Sequence, residues 1–195
     1  GKGNDSLHAE VAWHYEAGVE QQLPQLKTGL SLTAFHIDAK GFIEKIGDYY
    51  ENNEHYRFQG VEVGLVNRFI DRLNLSLDYT YLQSENRSDE RNFDELQNRP
   101  EHKVTLEADY TTPWRLRAYA SYLYIGRRYD FSRDGTQEVT LDDYHVINFK
   151  VSQAVWNRSV ELYVGVDNLF DTNYEESYGV ARPGRTIYGG LDWKW

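Results

Sequence analysis

The chain has 195 residues, 40% of them hydrophobic and 27% charged, with a formal net charge of −10. That length suits one domain or one moderate barrel, and since no stretch approaches the ~20 apolar residues of a spanning helix, a helical membrane bundle is excluded. The acid surplus argues against a nucleic-acid partner, whose phosphates require a basic face, and the absence of cysteine removes disulfides, thiol nucleophiles and thiolate metal sites.

A low mean hydropathy of −0.73 does not exclude the membrane. Spanning β-strands need only ~9–11 residues, half of them facing water. The 16 Tyr and 5 Trp are the ring types that a membrane–water interface selects. Position 1 is Gly and no Met occurs anywhere, so a processed product or a piece of a longer chain is expected.

Taken in chain order, about nine runs alternate with a period of two. Runs begin near Trp13, Leu30 and Val61. Leu73, Leu75, Leu77, Tyr79 and Tyr81 then alternate with Asn74, Ser76, Asp78 and Thr80, and Val104, Leu106, Ala108 and Tyr110 with Thr105, Glu107 and Asp109. Less regular runs follow near Trp114 and Ile147. Val160, Leu162, Val164 and Val166 oppose Glu161, Tyr163, Gly165 and Asp167; finally Ile187, Gly189, Leu191, Trp193 and Trp195 oppose Tyr188, Gly190, Asp192 and Lys194. A helix would scatter these apolar positions around its axis at ~100° per residue, so strands are predicted.

The predicted connections alternate in length. Short ones fall at Leu23–Thr28, Phe69–Arg72, Thr111–Pro113 and Trp156–Arg158, and long ones at Gly47–Glu54, Glu85–Arg99, Tyr129–Asp142 and Asp171–Gly184. Outer-membrane barrels sort their loops this way, with tight periplasmic turns and long extracellular loops. The fold class predicted is all-β, an antiparallel up-and-down transmembrane β-barrel. Counting back from a last strand that runs inward, nine strands place the first one, around Ala9 to Gln22, also at the outside. Complete bacterial barrels have even strand numbers, so residues 1–195 are expected to be the C-terminal part of a larger barrel. A soluble β-sandwich binding module and a small self-closing or oligomeric passive pore are the alternatives.

The segment from Val164 to Trp195 resembles the C-terminal end of TonB-dependent outer-membrane receptors. The resemblance rests on the Asn-Leu-Phe-Asp of Asn168–Asp171, on Tyr174-Glu175-Glu176, on Pro183-Gly184-Arg185, and on the terminal aromatic Trp195. GVEVGL from Gly60, LSLDYTYL from Leu75, NRPEHKVTL from Asn98 and IGRRYD from Ile125 extend it over most of the chain. It implies a plugged barrel of about 22 strands, located in the bacterial outer membrane. It also implies TonB-driven import of a scarce nutrient chelate of the ferric siderophore, haem or cobalamin class. The TonB complex would act through an N-terminal plug absent from these residues. The last strand, with Ile187, Leu191, Trp193 and Trp195, would carry the signal read by the barrel assembly machinery. The family's usual last residue is Phe, so Trp195 is a variant of it.

Glu62, Asp78, Glu107, Arg115, Arg117, Glu161 and Asp167 are expected to face the lumen. Trp13, Tyr79, Tyr81, Tyr110, Trp114, Tyr122, Tyr124, Trp193 and Trp195 should form interfacial girdles against outer-membrane lipid. Ordinary sheet packing is the plainer account of the same rings. The six histidines stand singly, without metal-ligand spacing, and no phosphate loop or nucleophile elbow occurs. No cofactor, metal or enzymatic activity is therefore expected. Loop residues Arg127, Arg128, Tyr129 and Arg133, with Tyr178, Arg182 and Arg185, are the candidates for contact with an anionic chelate.

Overall fold

The computed structural model describes residues 4–46, 49–88, 93–132, 136–156 and 159–193. Among the described residues thirteen strands are formed: β1 (Val11–Leu23), β2 (Thr28–Ile46), β3 (Tyr49–Asn67), β4 (Leu73–Asn86), β5 (His102–Thr111), β6 (Leu116–Ile125), β7 (Arg128–Phe131), β8 (Glu138–Leu141), β9 (Tyr144–Val155), β10 (Val160–Asp167), β11 (Glu175–Ser177), β12 (Val180–Ala181) and β13 (Thr186–Trp193). Nine of them make one sheet in the order β1-β2-β3-β4-β5-β6-β9-β10-β13, while β7-β8 and β11-β12 are separate hairpins. Every long strand pairs antiparallel with its neighbour in this order, an up-and-down meander.

The register decides which residues share a face, because side chains directly opposite each other across a ladder point the same way. From β1 to β13 one face carries Val19, Leu32, Val63, Tyr79, Val104 and Tyr124 in one row. A second row on that face runs Leu75, Ala108, Ala120, Phe149, Val166 and Ile187. Nine separately weak alternations thus fuse into one continuous apolar surface, and it is open: Val164 is 55% and Leu191 62% exposed. Glu62, Asp78, Glu107, Arg117, Glu161 and Asp167 lie on the opposite face, as the alternation predicts. There Arg117 donates to Asp109, and the Tyr119 hydroxyl to Glu107 at 2.8 Å. A sandwich would seal the apolar face against a second sheet; here it stays uncovered, which overturns that alternative.

The short turns share one device. Lys27, Arg72, Arg115 and Trp156, one in each, have positive φ of 44°, 66°, 71° and 46°. A left-handed non-glycine residue costs roughly 1–2 kcal/mol, offset here by local hydrogen bonds. The Lys27 N–H donates to Pro24 O at 3.1 Å, Arg115 N–H to Thr112 O at 2.9 Å, and Ser159 N–H to Trp156 O at 3.0 Å. Arg115 is thus a turn residue rather than a member of the polar wall. Three of these four positions are cationic, and one of them, Lys27, is ion-paired with Asp71 at 3.4 Å.

One connection differs from expectation. The stretch Gly47–Glu54 reads as a loop from its Gly, Asn and acid content, yet β2 and β3, 19 residues each, run on to Ile46 and resume at Tyr49. Their ladder stays in register from Thr28↔Asn67 to Ile46↔Tyr49, so cross-strand backbone pairing overrides the weak local propensity of these residues. Two of the other long connections hold the β7-β8 and β11-β12 hairpins, and the described residues between β4 and β5 add no further strand.

Candidate functional site

At the long-loop end, three connections that are distant in sequence converge on Asp130. This carboxylate, only 2% exposed, lies in β7. It accepts hydrogen bonds from Gln97 Nε2 and Asn98 Nδ2 of the β4–β5 connection, from its neighbour Phe131 N at 2.8 Å, and from Tyr178 N of the β11–β12 hairpin at 2.7 Å. Around it, Asn98 N donates to Tyr129 O at 2.8 Å. Phe93 stacks on Phe131 with ring centroids 4.7 Å apart, and Tyr144 meets Tyr174 at 4.4 Å. Burial alone would raise the Asp130 carboxyl. The donors from Tyr178, Gln97, Phe131 and Asn98 outweigh that, and the group is held below the ordinary carboxylate range.

Arg128 is only 3% exposed. Its Nη2 donates to the Glu175 carbonyl and its guanidinium lies 5.3 Å from the Tyr144 ring centre, so its charge is spent joining β7 to β11. Arg128 Nη1 and Asn98 Oδ1 are buried here without a hydrogen-bond partner among the described residues. Tyr129 opposes Thr140 in the β7–β8 ladder and Gln97 in a parallel bridge. Tyr178 is exposed above its tied N–H. The structure therefore joins Arg128, Tyr129 and Tyr178 through Asp130, which the sequence alone did not single out. Arg133 lies outside the described residues.

Two cavities flank this platform. One of about 660 Å³ is lined by Glu85, Asp94, Glu95, Glu101, Arg99 and Arg127. Burial, followed by the carboxylates of Glu138, Asp94, Glu101 and Glu85, pushes the Glu95 carboxyl up. The other, about 560 Å³, opens on the polar face between Asn148, Asp167, Tyr174, Glu176, Arg182 and Thr186. Arg182 is ion-paired with Glu176 there. Arg127 and Arg182 thus belong to different cavities. Arg185 instead closes a turn: its N–H donates to Asp171 Oδ1 at 2.7 Å.

That turn gives the Asn-Leu-Phe-Asp stretch a physical role. Asn168, buried and at φ 52°, accepts from Thr172 N and donates to Thr172 O, both at 2.8 Å. Asp171, at φ 58°, takes the N–H of Arg185 across the strand ends. A Cβ at Gly184 would come within 2.5 Å of Asp171 Oδ1, so a side chain there would displace the carboxylate. At the far edge, Ile187, Leu191 and Trp193 project from β13 on the apolar face, with β10 as the one sheet neighbour of β13 among the described residues. Trp195 lies outside the described residues. Among those that are described, no group of three or more His, Cys, Asp or Glu could hold a metal ion.

A meander whose apolar face spans every strand, whose opposite face is wet, and whose loops are short at one end and long at the other is the wall of an outer-membrane β-barrel. The family described as "TonB dependent receptor-like, beta-barrel" matches residues 1–169. The chain belongs to that family, and its place is the bacterial outer membrane.

Among curated proteins, the chain is similar to the iron-regulated outer membrane virulence protein of Vibrio cholerae, with 27% identity over 98% of this chain and 31% of that protein. It is also similar to the metal-pseudopaline receptor CntO of Pseudomonas aeruginosa, at 29% over 84% of this chain and 24% of that one. The fold matches the ferric-catecholate import receptor Fiu of E. coli with a TM-score of 0.78 at 22% identity, covering 96% of this chain and 28% of that one. The chain spans about a third or less of the length of these relatives.

Proposed function

We propose that these residues supply barrel wall, three long loops and the extended β2–β3 ladder to a receptor that imports a scarce nutrient, a ferric siderophore, haem or cobalamin, across the outer membrane with energy from the TonB complex. In this reading TonB acts through an N-terminal plug outside these residues, and the chain is the C-terminal part of the barrel. The last strand, with Ile187, Leu191, Trp193 and Trp195, is what the barrel assembly machinery reads. The observation that carries the proposal is the tied loop platform above a wet wall. It is a preorganised rim with a cavity on each side, and preorganisation is what lowers the ordering cost of capturing a ligand.

Arg127 and Tyr129 at one cavity, Arg182 at the other, and Tyr178 and Arg185 beside them are the proposed ligand contacts. Arg128 holds the platform from within, and Arg133 is a further candidate on sequence grounds alone. Receptor action is favoured over a self-closing pore because β1 and β13 stand at opposite ends of the sheet order and do not pair with each other. The test is uptake of labelled ferric siderophores, haem and cobalamin by cells whose outer-membrane route is the full-length parent protein. One class of cargo should accumulate, and accumulation should stop when TonB is deleted. Uptake that continues unchanged without TonB would overturn the proposal.

A further inference from the structure

A third and smaller cavity, of about 280 Å³, lies between β8, the start of β9 and the segment that enters β11. Tyr144, Tyr174, Tyr178 and Leu141 supply its walls. Three acidic residues, Asp142, Asp143 and Glu175, share the lining, and among the described residues no Lys, Arg or His joins them. Leu141 and Tyr144 are buried, so one side of the cavity is a fixed part of the platform, while Tyr178 is 52% exposed and borders solvent.

These carboxylates are not used up by cations. The side chain of Asp142, exposed at the β8–β9 turn, has no hydrogen bond or ion pair with another described residue. Glu175 Oε2 accepts the neutral Gly179 N–H at 3.0 Å, and the neutral Tyr124 hydroxyl stands beside Asp143. Asp143 also borders the 660 Å³ cavity, where Arg127 stands. The other arginines of the platform are matched elsewhere: Arg182 is ion-paired with Glu176, and Arg128 shares the interior of β7 with the oppositely charged Asp130. Asp142 and Glu175 therefore leave this cavity with uncompensated negative charge.

Aromatic faces attract cations as well. The ring cluster already does so once, since the Arg128 guanidinium lies 5.3 Å from the centre of Tyr144, which meets Tyr174 at 4.4 Å. Burial pushes the Tyr144 and Tyr174 phenols up, so both rings stay neutral. An anionic ligand arm would meet like charge here, and a neutral one would gain nothing from the carboxylates, whereas a cation gains from carboxylate and ring together. The volume falls just under the roughly 300–1,000 Å³ of sites for drug-sized ligands, which suits one small group rather than a whole chelate. We propose that this cavity binds an organic ammonium group, with its charge at Asp142 and Glu175 and its carbon chain on Tyr174, Tyr178 and Leu141. The group arrives either as a free small amine or as an arm of the cargo. The inference rests on the loop geometry and not on TonB-driven import, so the two fail separately.

The test titrates the full-length parent protein in detergent with propylammonium and with 1-propanol, its neutral analogue, followed by ligand-observed NMR. The cation should bind roughly tenfold tighter than the alcohol, the scale of one desolvated cation–aromatic contact. Asp142→Asn combined with Glu175→Gln, which keeps shape and removes charge, should abolish that preference, and Tyr178→Leu should weaken cation binding several-fold. Equal binding of the two probes, or an undiminished preference in the double variant, would overturn the proposal. A ferric tris-hydroxamate ending in an ammonium arm, and the same chelate N-acetylated, then serve as competitors. Displacement of propylammonium by the first alone supports the proposal and assigns the group to the cargo; displacement by neither supports it and assigns the group to free amines; equal displacement by both overturns it. Amide exchange at Phe131 and Tyr178 reports whether the platform is intact. If the double variant loses that protection, Asp142→Asn alone, at an exposed carboxylate with no protein partner, is judged by the same criterion.

Discussion

Replacing Asp130 by alanine in the full-length protein should release three loops together. The substitution leaves the amides of Phe131 and Tyr178 and the side chains of Gln97 and Asn98 without their common acceptor. Hydrogen bonds to a charged group contribute roughly 1.5–3 kcal/mol each. Water reaches loops once they open and replaces part of that, so a net local loss of about 3 kcal/mol is a conservative sum, equivalent to roughly 100-fold in an opening equilibrium. Amide hydrogen exchange at Phe131 and Tyr178 should therefore accelerate by about two orders of magnitude. Protection in the β4–β5 ladder beneath should be unaffected.

Asp130→Asn, which keeps one acceptor oxygen, should fall between. The sign with pH follows from the direction of the shift: a carboxyl depressed in the folded state stabilises the platform above the ordinary carboxylate pKa of about 3.9, and that contribution is lost as pH falls through the depressed value. The same three loops should then loosen in acid in the unmodified protein and show a smaller acid effect in Asp130→Ala. Exchange at Tyr178 that is unchanged by Asp130→Ala would refute the account of a shared tie.

Other substitutions separate the parts of the wall. Leu106→Arg places a charge well inside the apolar face and should destabilise the barrel by about 2–4 kcal/mol, while Leu106→Phe should be close to neutral; denaturant unfolding in detergent reads both. A side chain at Gly60 would collide with the Tyr81 carbonyl oxygen of the next strand and with the Phe35 ring. Gly60→Val should therefore cost roughly 1–3 kcal/mol and reduce the heat-modifiable fraction on gels. Arg182→Ala removes an exposed partner of Glu176 and should leave the thermal midpoint unchanged, while weakening ligand binding several-fold if the cavity beside it takes the cargo.

The wall was legible because each strand carries its own evidence. Leu73 to Tyr81 or Val160 to Val166 alternates whatever its neighbour does, and the pleat converts that directly into two faces. The β2–β3 extension was less legible, because Gly47–Glu54 is rich in residues that favour turns while the ladder that holds its flanks is a property of the pair. The loop platform was not legible at all. Asp130 meets Gln97 and Tyr178 across 33 and 48 positions of sequence, and nothing near Asp130 announces a buried carboxylate. For the same reason Arg128 reads as a free cation beside Arg127, although only one of the two reaches solvent.

β2 continues for ten residues beyond His36, to Ile46, still paired with β3. At about 3.4 Å per residue, and with the usual tilt of a barrel strand, this ladder rises roughly 25 Å beyond the level of His36. A partner that reaches this end meets a paired ladder there instead of a slack loop. Gripping such a ladder forfeits little chain entropy, because its backbone is already ordered.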